Sequence, residues 1–141
     1  MTDAATNPAA VRAIRADITT VAADAMVITT AGDLPARHVI HAVGPRWRDG
    51  TRGEPDLLRS AYRRAFELAA ENQCATVVSP SISTGIYGFP NDEAAPIAVD
   101  EATRALAQPN TPLRTITFAL FSDADHATFE RAIAARQADA R

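Results

Sequence analysis

Between Ser79 and Pro90 the chain reads SPSISTGIYGFP, small hydroxyl residues and two glycines set directly behind the β-favouring run Thr76–Ser79. Gly85 and Gly88 open backbone angles closed to other residues, so main-chain N–H groups of the Ser83–Gly88 turn can converge on an anion. An ordinary strand-to-helix turn is the competing reading. Asp17 carries an acceptor-only carboxylate just beyond an alternating run, suited to the exocyclic amine of a base or to a plain surface acid. Phe121 closes the run TITFALF and offers an aromatic face either to a planar ligand or to the core. His38 and His41 sit in one run, HVIHAV, with no acid beside them, and read as structural histidines. Cys74 is the only cysteine, which excludes an internal disulfide and a metal site built on thiolates. Its neighbours Gln73 and Ala75 supply no base or positive charge, so it reads as a core residue.

The elements that must position these groups alternate in type. Val11–Ala16, Ala25–Thr29 and His38–Val43 have the composition of strands, and Gly44-Pro45 ends the third. From Pro55 to Asn72 the residues Leu57, Leu58, Ala61, Tyr62, Ala65, Phe66, Leu68 and Ala69 keep the rhythm of an amphipathic helix. Thr76–Ser79 is the next strand. Asn91 can cap a second helix with Asp92 and Glu93 in its first turn, and Pro96 falls about one turn in, where it can bend or shift the start. Thr115–Phe121 is a buried strand, and Asp123 or Asp125 opens a last helix with Phe129 and Ile133 inward. The order β, β, β, α, β, α, β, α predicts a three-layer α/β/α fold over a mostly parallel or mixed sheet. Ligands of such sheets bind beyond the carboxyl ends of the strands, where Asp17 and the Ser83–Gly88 loop both fall.

A chain of 141 residues, 47% hydrophobic and 22% charged, fits one domain with a real core. Residues 1–10 are expected to be a disordered tail and 11–141 a single domain. A formal net charge of −3 without a long basic run leaves no electrostatic footprint for nucleic acid, and Arg59, Arg63 and Arg64 read as a solvated helix face. No stretch is long and apolar enough to span a bilayer and no leader peptide is visible, so a cytoplasmic location is expected. No metal and no cofactor are expected.

HVIHAVGP followed by Trp47, then a helix, then SPSISTGIYGFP and an alanine-rich helix, resembles the macro domain family from Val11 to about Arg131. The resemblance implies an ADP-ribose site. In it Asp17 and the backbone of Ile18 receive the adenine, and Phe121 stacks beside it. The N–H groups of Ser83, Thr84, Gly85, Ile86 and Tyr87, with Gly88 completing the turn, hold the diphosphate and the adjoining ribose. ADP-ribose or an ADP-ribosylated substrate is then the expected partner, of a monomer or a dimer.

Many members of the family also release ADP-ribose from modified acidic side chains or remove acetate from O-acetyl-ADP-ribose. In those the strand continues as Asn-Ala-Ala-Asn and a glycine-rich loop with an aspartate, and a helix follows, ending in Gly-Glu-Ala. Here Asp24-Ala25-Met26 passes directly into Val27-Ile28-Thr29-Thr30. The resemblance therefore implies a truncated member with an internal deletion, no residue in the catalytic role, and lost or much reduced hydrolase activity. Losing the groups that position water and the distal ribose can remove several kcal/mol of catalysis. Two alternatives are an active hydrolase and a non-binding remnant acting as an interaction module. With only Thr30–Arg37 before the next strand, Ala25–Thr29 is expected to pair antiparallel, to sit at an edge, or to belong to a rearranged sheet.

Overall fold

The computed structural model describes residues 10–28, 36–85 and 87–139. Five strands and three helices follow the expected order: β1 (Ala10–Arg15), β2 (Ala23–Ile28), β3 (Ala36–His41), α1 (Glu54–Glu71), β4 (Thr76–Ser79), α2 (Asn91–Leu106), β5 (Thr115–Leu120) and α3 (Asp123–Asp139). A single 3-10 turn, Ile18–Thr20, follows β1. The sheet order is β1-β5-β4-β2-β3. Every neighbour pair is parallel, so all carboxyl ends lie along one edge of the molecule. Ala10, expected in the tail, is the first residue of β1, and the remainder of that tail lies outside the described residues.

Two of the placements expected for the Ala25–Thr29 run, antiparallel pairing and an edge position, are overturned. β2 is interior and parallel to both neighbours, with Ala25 opposite His38 and Val77, and β3 takes the edge. A crossover of a dozen residues is what a helix requires; the chain itself needs less. Returning along a six-residue strand takes about 17 Å, and the eight Cα–Cα steps from Ile28 to Ala36 reach about 26 Å when extended. Thr29 and residues 30–35 lie outside the described residues.

One face of the sheet carries the core. Ala25, Val27, Val77, Ile116 and Phe118 lie on it and pack with Leu58, Tyr62 and Phe66 of α1, Ala94, Ala98 and Val99 of α2 and Phe129 of α3. The Phe118 ring touches two helices at once, its centroid 6.0 Å from Tyr62 and 5.0 Å from Phe129. All three helices therefore share this face. The expected α/β class holds, while among the described residues the third layer has no helix. Met26, Val78 and Ala119 point to the opposite face and are nonetheless buried. The link Ala16–Ala22 must return from the carboxyl end of β1 to the amino end of β2, past β5 and β4. With the helices filling one side, it crosses the other.

Two local expectations shift. Pro90, with φ −60° and ψ 129°, is the cap of α2, and Asn91 is already helical. Its side-chain amide instead donates to Asp125 Oδ1 at 2.9 Å, tying the start of α2 to α3. Pro96 sits on the exposed side of a helix that runs through it unbroken. Arg63 and Arg64 are exposed, as expected of a solvated face, while Arg59 is half-buried, and Arg59 and Arg63 also reach Glu101, which is 2% exposed, at 2.6 and 3.1 Å. Cys74 is fully buried, as expected of a core residue.

Candidate functional site

Parallel pairing lines up the expected groups along one edge. Ala16 N–H still donates to the Leu120 carbonyl at 2.9 Å, so β1 and β5 stay joined to their ends, and continuing the register puts Phe121 opposite Ala16, one residue before Asp17. Asp17 is exposed, and its carbonyl accepts the N–H of Thr20 at 2.9 Å and its hydroxyl at 2.7 Å, closing the 3-10 turn that Ile18 opens. Phe121 is 71% exposed, which removes the core-aromatic reading. Burying that ring would stabilise a fold by about 1.5–3 kcal/mol, so leaving it in solvent needs another reason.

β4 is hydrogen-bonded to β5, with Ser79 opposite Phe118, and therefore delivers the 80–90 loop next to the same corner. Ser83 adopts φ +70° and Gly88 φ +74°. Phe89 N–H donates to the Ser83 carbonyl at 2.9 Å and Gly88 N–H to the Gly85 carbonyl at 3.0 Å, which curls the loop on itself. Among the described residues, the N–H groups of Ser83, Thr84, Gly85 and Tyr87 donate to no protein acceptor. Ile86 lies outside the described residues. Thr84 turns its hydroxyl away to Ser81 Oγ at 2.9 Å.

Support for this loop comes from residues that sequence reasoning left out. Tyr62 of α1 is fully buried and accepts the N–H of Ile82 at 2.8 Å, and burial pushes its hydroxyl far above the usual phenol range. From the other side, Trp47 N–H donates to the Tyr87 carbonyl at 2.8 Å and its ring packs 4.7 Å from Phe89. The Arg46 guanidinium lies 5.5 Å above the Tyr87 ring. At Gly44 any Cβ would stand 2.2 Å from Ser83 Oγ, so only glycine lets the two segments meet. Glu54, 2% exposed, gathers four backbone N–H groups of the turn before α1. Burial raises its pKa, but the N–H groups of Arg48, Gly50 and Arg52 outweigh it and bring the carboxyl down to about 2. The motif HVIHAVGPRW marked this segment in the sequence, without showing that it is a buttress.

His38 is half-buried and His41 exposed in β3, and neither meets the other candidate groups. Among the described residues no cluster of three or more His, Cys, Asp or Glu side chains could hold a metal ion. A cleft of about 700 Å³ lies at the opposite, amino-terminal end of the strands, between Gln73, Arg104 and Leu113, and touches none of the groups above. Among the described residues, the planar side chain of Phe121, the Asp17 carboxylate and the N–H groups of the 83–88 loop lie along the carboxyl edge, away from that cleft.

Among the described residues no helix is long and apolar enough to cross a membrane. The model of the Macro domain family matches residues 4–98. Over 108 residues the chain is 46% identical to a Klebsiella pneumoniae protein named O-acetyl-ADP-ribose deacetylase, covering 77% of this chain and 61% of that one. It is 45% identical, over the same shares, to a Macro domain-containing protein of Mesorhizobium japonicum. The chain thus spans about three fifths of the length of these curated relatives. Among solved structures, a Trypanosoma brucei macrodomain in complex with ADP-ribose superposes with a TM-score of 0.76 at 25% identity, covering 87% of this chain and 68% of that one. An Oceanobacillus iheyensis macrodomain with ADP gives 0.81 at 23% identity, over 90% and 91%. Fold, loop and family match agree: the chain belongs to the Macro domain family.

Proposed function

We propose that this protein binds ADP-ribose, free or attached to a substrate, through the adenine and diphosphate half of a macro domain site, with little or no hydrolase activity. The observation that carries the reading is Phe121, 71% exposed at the carboxyl end of β5, between the strand that ends before Asp17 and the strand that feeds the 83–88 loop. Asp17 accepts from the adenine amine and Ile18 contributes its backbone. Phe121 stacks on the base, a contact of about 1–3 kcal/mol. Ser83, Thr84, Gly85, Ile86 and Tyr87 donate N–H groups to the diphosphate, while Gly88 supplies the φ +74° that closes the turn. A relative solved with ADP-ribose supports the ligand class.

The loss of activity is supported by the sequence. β2 runs from Ala23 to Ile28 and meets β3 after seven residues, leaving no room for the asparagine and glycine-rich segment that hydrolysing members use. A site without that wall is open on its distal side and binds more weakly. The deacetylase name of a 46% identical relative favours a second reading, an active hydrolase. The domain, residues 11–141, is expected to act as a monomer or dimer in the cytoplasm.

Calorimetric titration with ADP-ribose tests the first reading. Binding should be measurable in the wild type and vanish in Asp17→Ala, and O-acetyl-ADP-ribose should be turned over no faster than in buffer. Clear turnover establishes the hydrolase instead. No heat and no thermal shift at millimolar ligand leaves the chain a non-binding remnant acting as an interaction module.

A further inference from the structure

We infer that Glu54 is the positioning residue of the 83–88 loop, acting through the turn Arg48–Arg52 and Trp47. For ligand affinity this rests on the binding reading above. Residues 42–53 form no helix or strand, yet they are the segment that braces the loop, through Gly44, Arg46 and Trp47. An irregular stretch of that length keeps one shape only where something offsets the entropy of its many conformations. Glu54 does so. Its Oε2 accepts the N–H groups of Arg48 at 3.0 Å, Asp49 at 3.2 Å and Gly50 at 3.0 Å, and its Oε1 accepts that of Arg52 at 2.7 Å. A carboxylate has about four lone-pair directions and no donor, so this set of amides saturates it.

The geometry carries the restraint onward. Gly50, at φ +83°, folds the turn back so tightly on Trp47 that a Cβ there would stand 2.6 Å from the indole ring. The indole is thereby held against Phe89, and Trp47 N–H against the Tyr87 carbonyl. Phe89 in turn closes the loop through its N–H bond to Ser83. Starting α1 would not by itself call for this arrangement. A short exposed cap at Gly53 would serve, whereas Gly53 caps with no side chain and Glu54 is turned inward.

The chain contains a single tryptophan, so its emission reports on Trp47 alone. Glu54→Gln exchanges one acceptor oxygen for an amide NH2, a donor that faces N–H groups. It should weaken ADP and ADP-ribose about tenfold by calorimetry, the scale of one lost charge-assisted hydrogen bond. It should also shift Trp47 emission and speed amide exchange at residues 87–89, with Glu54→Asp recovering part of each. Faster exchange confined to residues 48–52, with emission and residues 87–89 unchanged, overturns the inference. If the wild type binds neither nucleotide, the binding reading falls, while emission and exchange still decide the role of Glu54. Should Glu54→Gln not fold, Asp49→Ala loosens the same turn from the surface by removing the acceptor of Thr51 N–H and Oγ1. A smaller change in the same direction supports the inference, and none at all overturns it.

Discussion

Phe121 separates binding from stability. Because the ring is 71% exposed, Phe121→Ala should change folding stability by no more than about 0.5 kcal/mol. The same change removes a stacking surface and should weaken ADP-ribose roughly tenfold or more, which titration beside a melting curve will resolve. Gly44 does the reverse. A methyl group there would lie 2.2 Å from Ser83 Oγ and 2.6 Å from Ile82 Cγ2, so Gly44→Ala should cost about 1–3 kcal/mol by overpacking and displace the loop. Ser83 Oγ is buried with no partner among the described residues, and Ser83→Ala in the Gly44→Ala background should restore part of that stability. Denaturant melts of the single and the double variant measure this. Roles toward a ligand were implied only by the family resemblance, whereas the places of Asp17, Phe121 and the 83–88 loop just beyond strand ends were legible from local composition. Glu54 was not: an acid in a first helical turn is commonplace, and its four amide partners converge only once the turn has folded.

At the scale of the elements, Asp100 holds the helices together. It accepts from Arg59 of α1 at 2.5 Å, from Arg104 at 2.9 Å and from Arg136 of α3 at 3.0 Å. Burial raises its pKa, but the three guanidinium groups outweigh it and bring the carboxyl down to about 2. Glu54 is likewise held at about 2, and Asp24 is lowered chiefly by the N–H of Ala75. In the unfolded chain these groups titrate near their ordinary values of 3.8 to 4.5. Their contribution is therefore fully present above about pH 5 and lost as the pH falls toward 2. Melting temperature should be flat in this respect from pH 5 to 7 and drop steadily below. Asp100→Asn should lower stability by about 1–3 kcal/mol at neutral pH and make that acid limb shallower. Element types and order were readable from periodicity, α1 above all. The pairing of β2 was not, since neighbourhood in a sheet depends on how far a seven-residue link can stretch and on which side the helices have filled. The cap at Pro90 was missed because Asn91 has the right chemistry one position late.

For the whole molecule, the arrangement of α1, α2 and α3 on one face leaves the other to a crossing link. That link, Ala16–Ala22, contains Asp17, so this residue of the candidate site belongs to the segment that returns the chain from β1 to β2. The α/β class was evident from the alternation of elements. The one-sided covering was not, because it follows from the handedness of parallel crossovers, a property of direction across the sheet that no local window contains.

The pairing of β1 with β5 joins residues more than a hundred positions apart, Ala10 with Thr115. β1 thus waits for a strand made about a hundred residues later. At about 5–20 residues per second, that wait is on the order of 5–20 s of synthesis during which β1 has no partner. The corner of the carboxyl edge that holds Asp17 and Phe121 therefore cannot form before β5 has been made. Its closure reports that two strands more than a hundred residues apart have paired in their native order.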